Sequence, residues 1–347
     1  MAKDCFIPLF LTATALAVCF VAGCQAPQVK PLPVQAPVVH HTELVNARQH
    51  TSFEVGESLE PCISPDGKKL LFASNHHGPT FDIFLKDVSG KATTQLTTNP
   101  CDDRQPALSP NGKMIAFVSN REGNWDIYVK ASEPGSPDVR LTADESDEVH
   151  PSWSSDGTRL VFSRRNPKRN TWEIRIITFG KKGPSISSPG VEGLFPEWSP
   201  VKGSETILFQ RPRGRNPELY TLWTVQSNGK RLTEVLESTQ WATVTPAWST
   251  DGKWIVFSAV GRTGAGSLWI VRADGKRLTR VSNGADPQWE AACSRDGRIF
   301  FTISRGGVKN IWSITPDYND ILPESGPSKD TPAAGTRPTA TGSGKQT

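Results

Sequence analysis

Few residues of this chain have the types and spacing that catalysis requires. His76 and His77 form a histidine pair, but no third residue at metal-ligand spacing accompanies them. The segment Gly264-Ala-Gly-Ser-Leu reproduces only part of the Gly-x-Ser-x-Gly turn that carries a hydrolase nucleophile. The sequence contains neither a phosphate-binding glycine loop nor His-Glu-x-x-His. We therefore predict a protein that is not an enzyme and has no metal or cofactor; a metal site assembled from distant segments stays open.

Charged residues gather by sign in separate segments of the chain. The 347 residues include 39 basic and 35 acidic side chains, a balance that argues against a general nucleic-acid binder. One set is mainly acidic: Glu57, Glu60, Asp102, Asp103, Asp144, Glu145, Asp147, Glu148, Glu192 and Asp286, with Arg104 and His150 among them. The other set is basic: Arg121, Arg164, Arg165, Lys168, Arg169, Arg211, Arg213, Arg215, Arg262, Arg305 and Lys309.

A repeated motif shows which elements carry these charges. Copies of Pro-x-Trp-Ser-Pro-Asp-Gly, some of them incomplete, begin at Pro61, Pro106, Pro151, Pro196, Pro246 and Ala291. Their starts lie 45, 45, 45, 50 and 45 residues apart. Each copy contains a tight-turn sequence, a β run such as Leu70-Leu71-Phe72, a polar loop and a second β run such as Asp82-Ile-Phe-Leu. Leu-Thr pairs at Leu96, Leu141, Leu232 and Leu278 indicate a fourth strand in four of the copies.

Four strands in about 45 residues, repeated six times, are typical of a β-propeller. We therefore predict an all-β fold, a six-bladed propeller of four-stranded blades. The Trp and Phe positions of the repeat should pack between blades rather than form a ligand platform. The chain should be a monomer.

The repeat also resembles a known family. Its pattern of Pro-x-Trp-Ser-Pro-Asp-Gly-Lys, Phe, Asp-Ile-Tyr-Val and Leu-Thr is similar to the propeller repeats of TolB, a periplasmic component of the Tol-Pal system. The resemblance covers roughly residues 43–317 and implies a propeller that binds an envelope protein or peptide, such as a Pal-like lipoprotein. TolB carries an α/β domain before its propeller, whereas only about 20 tether residues precede it here, so contacts of that domain do not carry over. Similar repeats in hydrolases and polysaccharide lyases leave a polysaccharide-binding or lyase-like propeller as the alternative.

The propeller places the two charge sets on one face. Segments just before each anchor proline should lie at a mouth of the central channel, and the basic loops should surround them. We predict an acidic mouth inside a basic rim, which would steer a partner; ordinary loop polarity is the alternative. The predicted partner-binding residues are Asp102, Asp103, Arg104, Asp147, Glu148, His150, Glu192 and Asp286.

The N-terminus has the pattern of a bacterial lipoprotein signal. Residues 6–22 form one apolar run that ends in Val21-Ala22-Gly23-Cys24. Small residues before a cysteine resemble a lipobox, which implies acylation of Cys24 and a two-chain anchor. We predict a signal peptide over 1–23, a Pro-rich tether over 24–42 and a lipid anchor on the periplasmic side of the outer membrane. An uncleaved anchor or ordinary secretion is the alternative.

The ends of the propeller should pair with each other. The last copy has no clear fourth strand, and counting back from Pro61 by the spacing of the earlier copies reaches Thr51. We predict that residues 43–52 supply the outer strand of the last blade; Ile321-Leu322 is the alternative. The tail, residues 318–347, should be disordered. The sequence leaves two possibilities open for Cys62, Cys101 and Cys293: a Cys62–Cys101 disulfide, or three unpaired cysteines.

Overall fold

Twenty-four β-strands build the part of the chain that this computed structural model describes, residues 46–53, 55–213, 216–236, 242–261, 266–282 and 286–316. They form six antiparallel sheets of four strands each. These residues include no helix, and therefore none long and apolar enough to cross a membrane. The predicted fold, a six-bladed propeller with four strands per blade, is confirmed. The signal peptide, the tether and the tail lie outside the described residues, so the predicted domain boundaries stay predictions.

Each blade uses consecutive strands, except the last. The strands of blades 1 to 3 are β2 (Ser58–Ile63), β3 (Lys69–Ser74), β4 (Asp82–Asp87), β5 (Thr93–Gln95); β6 (Asp103–Leu108), β7 (Met114–Ser119), β8 (Asp126–Ala131), β9 (Val139–Arg140); β10 (Glu148–Trp153), β11 (Arg159–Asn166), β12 (Thr171–Gly180), β13 (Gly183–Ser187). Those of blades 4 to 6 are β14 (Leu194–Trp198), β15 (Thr206–Arg213), β16 (Asn216–Gln226), β17 (Thr233–Leu236); β18 (Ala242–Trp248), β19 (Trp254–Val260), β20 (Gly266–Arg272), β21 (Thr279–Arg280); β22 (Gln288–Cys293), β23 (Ile299–Arg305), β24 (Val308–Ile314), β1 (Arg48–Gln49).

The Ser-Pro-Asp-Gly segment turns the chain between the first and second strands of a blade. In blade 1, Ser64 Oγ donates to Asp66 Oδ1 (2.6 Å), and Asp66 Oδ1 also accepts from the Lys68 amide (3.1 Å). The Lys69 amide donates to Ser64 Oγ (2.9 Å), and Gly67 adopts a φ of 72°. Equivalent Ser hydroxyl to Asp or Asn bonds form at Ser109, Ser154, Ser249 and Ser294. The repeated sequence is therefore a repeated turn.

A hydroxyl fixes the fourth strand to the third. Thr97 Oγ1 accepts from the Ile83 amide (2.9 Å) and donates to Asp82 Oδ1 (3.1 Å). Blade 5 makes the same amide contact with a serine, because the Leu268 amide donates to Ser282 Oγ (2.9 Å). The Asp that begins the third strand of blade 1 and the Thr that follows the fourth strand are therefore bonded to each other.

The predicted Leu-Thr signal is wrong in its register for two blades. Leu96 is buried directly after β5, but Leu232 is exposed and precedes β17. In blade 1 the Leu96 amide donates to Ile83 O. The equivalent bond in blade 5, to Leu268 O, comes from the amide of Val281 and not from that of Leu278. Leu278 lies between β20 and β21, where the chain is still in the hairpin. The dipeptide alone therefore does not locate the strand.

The core lies between neighbouring blades, as predicted for the Phe positions. Phe117 of blade 2 packs with Leu71 of blade 1, and Phe209 of blade 4 packs with Val161 of blade 3. The buried aromatic residue of each second strand contributes roughly 1.5–3 kcal/mol by leaving water. Because each cluster joins two blades, no blade buries its own faces alone.

The N-terminal segment closes the ring, and the predicted closure is confirmed. Arg48 and Gln49 of β1 pair with Ser313 and Trp312 of β24. Thr51 Oγ1 accepts from the Ile311 amide (2.9 Å), the contact that Thr97 makes in blade 1. Thr51 therefore occupies the hydroxyl position and not the leucine position that the spacing indicated. The alternative closing segment, Ile321-Leu322, lies outside the described residues.

The two faces of the ring carry different connections. The first strands, β2, β6, β10, β14, β18 and β22, neighbour one another around the centre and are called the inner strands. The turn face is the side that holds the Ser-x-Asp-Gly turns and the hairpins between third and fourth strands. The loop face is the opposite side, which holds the loops between second and third strands and the connections between blades.

Candidate functional site

The residue before each anchor position has a left-handed backbone. Values of φ are 57° at Glu60, 53° at Gln105, 56° at His150, 50° at Phe195, 49° at Thr245 and 57° at Glu290. In every blade this residue lies at the bulge where the pairing of inner and second strand shifts register. A non-glycine residue adopts this conformation at a cost, so the surrounding structure must hold it. We call these six residues the belt.

Belt side chains accept hydrogen bonds from the next blade. Glu60 Oε2 accepts from the Gln105 amide (2.7 Å), and Gln105 Oε1 accepts from the His150 amide (2.7 Å). Thr245 Oγ1 accepts from the Glu290 amide (3.1 Å), and Glu290 Oε2 accepts from the Glu60 amide (2.8 Å). The belt therefore satisfies backbone groups that the bulges release and joins the inner strands, including blade 6 to blade 1.

The series of bonds is interrupted beside His150. The Phe195 side chain has no acceptor, and the Thr245 amide bonds to Gln210 Oε1 (2.9 Å) instead. His150 is 9% exposed, its ring centroid lies 3.7 Å from that of Phe195, and neither ring nitrogen has a partner among the described residues. Burial, and then the charge of Arg104, lower the pKa of His150 to about 3. A neutral imidazole with an unused donor and acceptor thus lies in the belt.

A cavity of about 780 Å³ lies between the belt and the turn face. All six inner strands line it, in blade 1 from Glu60 to Pro65. The exposed lining residues, such as Pro200 and Thr250, belong to the turns, whereas Gln105 and His150 of the belt are buried. The cavity therefore opens on the turn face, and the belt is its floor.

One carboxylate in the cavity wall has no basic partner. Glu197 Oε2 accepts from the Trp248 amide (2.7 Å), and Glu197 forms no ion pair within the described ranges. Burial raises the pKa of Glu197 to about 7, which the bond from Trp248 only partly opposes. Glu197 can therefore donate or accept a hydrogen bond near neutral pH.

The remaining wall is mostly apolar. Trp153, Trp198 and Trp248 pack between blades, as predicted, but part of each also lines the cavity. Cys62 and Cys293 lie in the same wall, and burial raises the pKa of both thiols, that of Cys62 to about 11. Such thiols react slowly at neutral pH. Cys62, Cys101 and Cys293 are all free, so the Cys62–Cys101 disulfide is not formed.

Of the eight residues predicted to bind a partner, only His150 lines the cavity. Arg104 lies next to the belt, with Nη2 2.8 Å from Glu60 Oε1. Asp102 Oδ1 accepts from the Phe81 amide (2.8 Å). These two residues support the inner strands.

Ion pairs join the predicted acidic mouth to the predicted basic rim, so the charges of the two sets partly neutralise each other. Arginines of the predicted rim form ion pairs with the predicted mouth: Arg121–Asp103 (3.2 Å), Arg164–Glu148 (3.4 Å), Arg165–Asp147 (3.6 Å), Arg169–Glu192 (3.8 Å) and Arg305–Asp286 (2.9 Å). The strand register explains this, because it sets Glu148 directly opposite Arg164. Asp103 is 0% and Glu148 1% exposed, and burial raises the pKa of Glu148 to about 8. Whether these residues bind a partner stays a prediction.

Comparison with known proteins agrees with this architecture. The TolB β-propeller domain family matches residues 35–240, more than half of the chain. The chain belongs to the TolB β-propeller family. Searching curated proteins gives no match.

Solved structures similar to this TolB-like propeller share its fold. A protein described as TolB from Agrobacterium tumefaciens is 17% identical with a TM-score of 0.55, over 75% of this chain and 90% of the other. TolB from Acinetobacter baumannii is 22% identical with a TM-score of 0.52, over 63% and 53%, so the chain spans about half of that protein. Oligogalacturonate lyase from Vibrio parahaemolyticus is 14% identical with a TM-score of 0.56, over 78% and 94%.

Several cavity residues of the TolB-like propeller escaped the sequence reasoning. Glu197, Glu290, Gln105 and Thr245 were not among the predicted site residues. A usable signal existed for three of them, because each immediately precedes an anchor position of the repeat. Glu197 lies one residue beyond the anchor, where the other five copies have Cys, Ala or Ser, so its departure from a small residue was the available signal.

The histidine pair lies where the sequence placed it, on the loop between the second and third strands of blade 1. His76 Nδ1 is 2.8 Å from Ser74 Oγ, and its ring stacks on Phe53 with centroids 3.6 Å apart. No group of three or more His, Cys, Asp or Glu side chains is placed to hold a metal ion in the part of the chain that the structure describes. The arrangement as a whole can bind a segment with apolar groups and a few hydrogen-bonding atoms.

Proposed function

We propose that this protein is a lipid-anchored envelope propeller that binds a segment of a protein partner in the cavity. The cavity itself carries the proposal: it is concave, mostly apolar and equipped with few polar groups, which is the character of a binding site. Membership of the TolB β-propeller family supports a protein-binding role. We also propose that the protein binds this segment without catalysing a reaction on it.

The wall and floor set what the partner segment should present. The proline and tryptophan surfaces suit apolar side chains, and the unpaired Glu197 and His150 suit donors such as an amide or an amine. His150 has no described hydrogen-bond partner to lose on binding, and Glu197 accepts only the bond from the Trp248 amide among the described residues. A ligand that reaches them therefore gains hydrogen bonds at little cost.

The anchor proposal rests on Val21-Ala22-Gly23-Cys24. Acylation there would hold the propeller on the periplasmic side of the outer membrane, where a Pal-like lipoprotein is the partner that the family suggests. Mass spectrometry of the mature protein should find an acylated N-terminal Cys24, and Cys24→Ser should release the protein or block processing. A mature N-terminus elsewhere contradicts the anchor.

Blocking the cavity tests the binding site. Ala107 lines the cavity, so Ala107→Arg fills part of it, whereas Val308→Arg adds the same side chain on the exposed loop face. The parent and Val308→Arg should capture the same envelope proteins, and Ala107→Arg should not capture them. Cooperative melting of both variants shows that they are folded. Capture that Ala107→Arg leaves unchanged would exclude the cavity as the site.

An anionic polysaccharide is a second candidate ligand, because the turn face around the cavity mouth carries many exposed basic residues. The fold is also shared with an oligogalacturonate lyase. Equilibrium binding to polygalacturonate, together with an assay for unsaturated uronate product, separates this candidate from protein binding. Saturable binding lost in Ala107→Arg would favour it, and product would show turnover.

A further inference from the structure

The turn face has an excess of exposed basic residues that lack acidic partners. Its hairpins contribute such residues from all six blades, and none forms an ion pair within the described ranges. They are Lys68, Lys91, Lys113, Lys181, Lys182, Lys202, Lys230, Arg231, Lys276 and Arg295. Four aspartates of this face, Asp66, Asp156, Asp251 and Asp296, accept hydrogen bonds from the serines of their own turns.

The basic residues spread over a plane rather than along a groove. The first and third strands of each blade end on the same side, as the opposition of Lys69 and Asp87 in blade 1 shows. Hairpin tips of successive blades therefore surround the cavity mouth. A charge distribution of this extent matches a surface better than a single extended chain, which would touch only part of the ring.

Two exposed apolar side chains accompany these charges in blade 4. Val201 is 44% exposed in the turn beside Lys202, and Leu232 is 41% exposed in the hairpin beside Arg231. Apolar side chains next to lysine and arginine are the combination found at membrane–water interfaces, where the charges meet headgroups and the apolar groups enter the boundary.

The N-terminal segment also reaches the propeller from this side. Arg48 at the start of β1 lies opposite Ser313, near the end of β24, and β24 ends on the turn face. The first described residues, 46–48, therefore lie on the side of the propeller that carries the basic residues.

We propose that the turn face docks on an anionic phospholipid surface. Basic residues near such a surface are attracted to its headgroups, and the attraction falls off within a Debye length. On the loop face, by contrast, arginines such as Arg121, Arg164 and Arg305 are paired with neighbouring carboxylates, which weakens their attraction for a surface. Since the cavity opens on the turn face, lipid contact and entry of a cavity ligand compete.

Vesicle co-sedimentation tests the docking without the acyl chains and without any protein partner. The full mature chain with Cys24→Ser is mixed with phosphatidylcholine vesicles that contain or lack phosphatidylglycerol. We expect binding only to the anionic vesicles, with affinity falling as salt rises. Reversing Lys181, Lys182, Lys230 and Arg231 to Glu should weaken that binding at least about tenfold.

A matched variant carries the same charge change on the loop face. Reversing Arg165, Lys168, Arg169 and Arg305 to Glu should leave vesicle binding within about twofold of the parent, with folding of both variants checked by thermal melting. Equal binding to neutral vesicles, an equal loss in both variants, or failure of the parent to bind anionic vesicles would overturn the proposal. Loss of polygalacturonate binding in the turn-face variant, with no vesicle binding by the parent, would assign the face to a polysaccharide instead.

Discussion

The two faces of this propeller differ in how many of their basic residues are paired with carboxylates. On the loop face, Arg121, Arg164 and Arg305 bind carboxylates that sequence reasoning had assigned to a partner. On the turn face, lysines such as Lys113 and Lys230 stand exposed without an ion pair among the described residues. A charged loop therefore indicates binding only after its internal partners are known.

The faces differ because their connections differ in length and position. A loop between second and third strands returns beside the segment that enters the same inner strand, so a long arginine reaches a carboxylate of its own blade. The tight Ser-x-Asp-Gly turns already use their aspartates for local bonds. Lys68 and Lys113, two residues after the Asp or Asn of their turns, are exposed and form no ion pair among the described residues, whereas Lys253 pairs with Asp251 (3.9 Å). Lysines such as Lys68 and Lys113 therefore remain available to an external surface.

Removal of the closing strand, β1, should have the largest effect. Deleting residues 43–52 removes β1 and leaves the third strand of blade 6 without its outer neighbour. It also removes the bond that Lys86 Nζ of blade 1 donates to His50 O. We expect a sharply lower melting temperature by calorimetry. An unchanged melt would mean that another segment closes the ring.

Breaking a loop-face ion pair should also be costly. Arg121→Met leaves the fully buried Asp103 without its arginine, and removing one member of a buried pair costs about 3–5 kcal/mol. Urea denaturation measures the loss. The matched substitution Lys113→Met on the turn face provides the control, and equal losses in the two variants would contradict the difference between the faces.

Glu197, in the wall of the cavity, should make the free energy of unfolding depend on pH. Its folded pKa of about 7 lies above the ordinary value of 4.5, so the folded state holds the proton more tightly. The contribution of Glu197 to the free energy of unfolding is therefore fully present below pH 4.5 and is lost as pH rises to about 7. Relative to the parent, Glu197→Gln should gain on the order of 2–3 kcal/mol between pH 5 and 8, since one pKa unit is about 1.4 kcal/mol. Denaturation curves of the parent and of Glu197→Gln at both pH values measure this gain. If the two proteins differ in stability by the same amount at both pH values, the raised pKa of Glu197 is contradicted.

Turn-face lysines should matter least for stability. Lys113→Ala and Lys230→Ala together remove two exposed charges that have no described ion pair, and such substitutions usually change stability by less than about 0.5 kcal/mol. Thermal melting at low and high salt checks this. A loss of more than about 1 kcal/mol would show that these lysines have structural partners.

The repeat motif predicted the architecture because the same residues make the same local bonds in each blade. Pro, Ser and Asp form the turn, Asp and Thr join the third and fourth strands, and the residue count located the closing segment within one position. The charge pairs were not predictable in this way, since a sequence does not show which arginine crosses to which carboxylate. Glu197 was missed for a different reason, because it replaces the small residue that the other five copies have at its position, and a motif search reads the shared residues rather than the exception.

The belt was predictable from the sequence only in part. Glu60, Gln105 and Glu290 occupy one position of the repeat, so their common environment could be inferred. Their left-handed backbone could not, because glutamate and glutamine carry no signal for it. The bulge and the bonds between blades impose that conformation.

If the proposals above are right, the turn face, with its cavity, is the face that contacts other molecules. A photo-crosslinking amino acid placed at Thr250, in the cavity mouth, and separately at Val308, on the loop face, tests this in intact cells. We expect adducts with an envelope protein from Thr250 and not from Val308. Protein adducts formed from Val308 alone would contradict it.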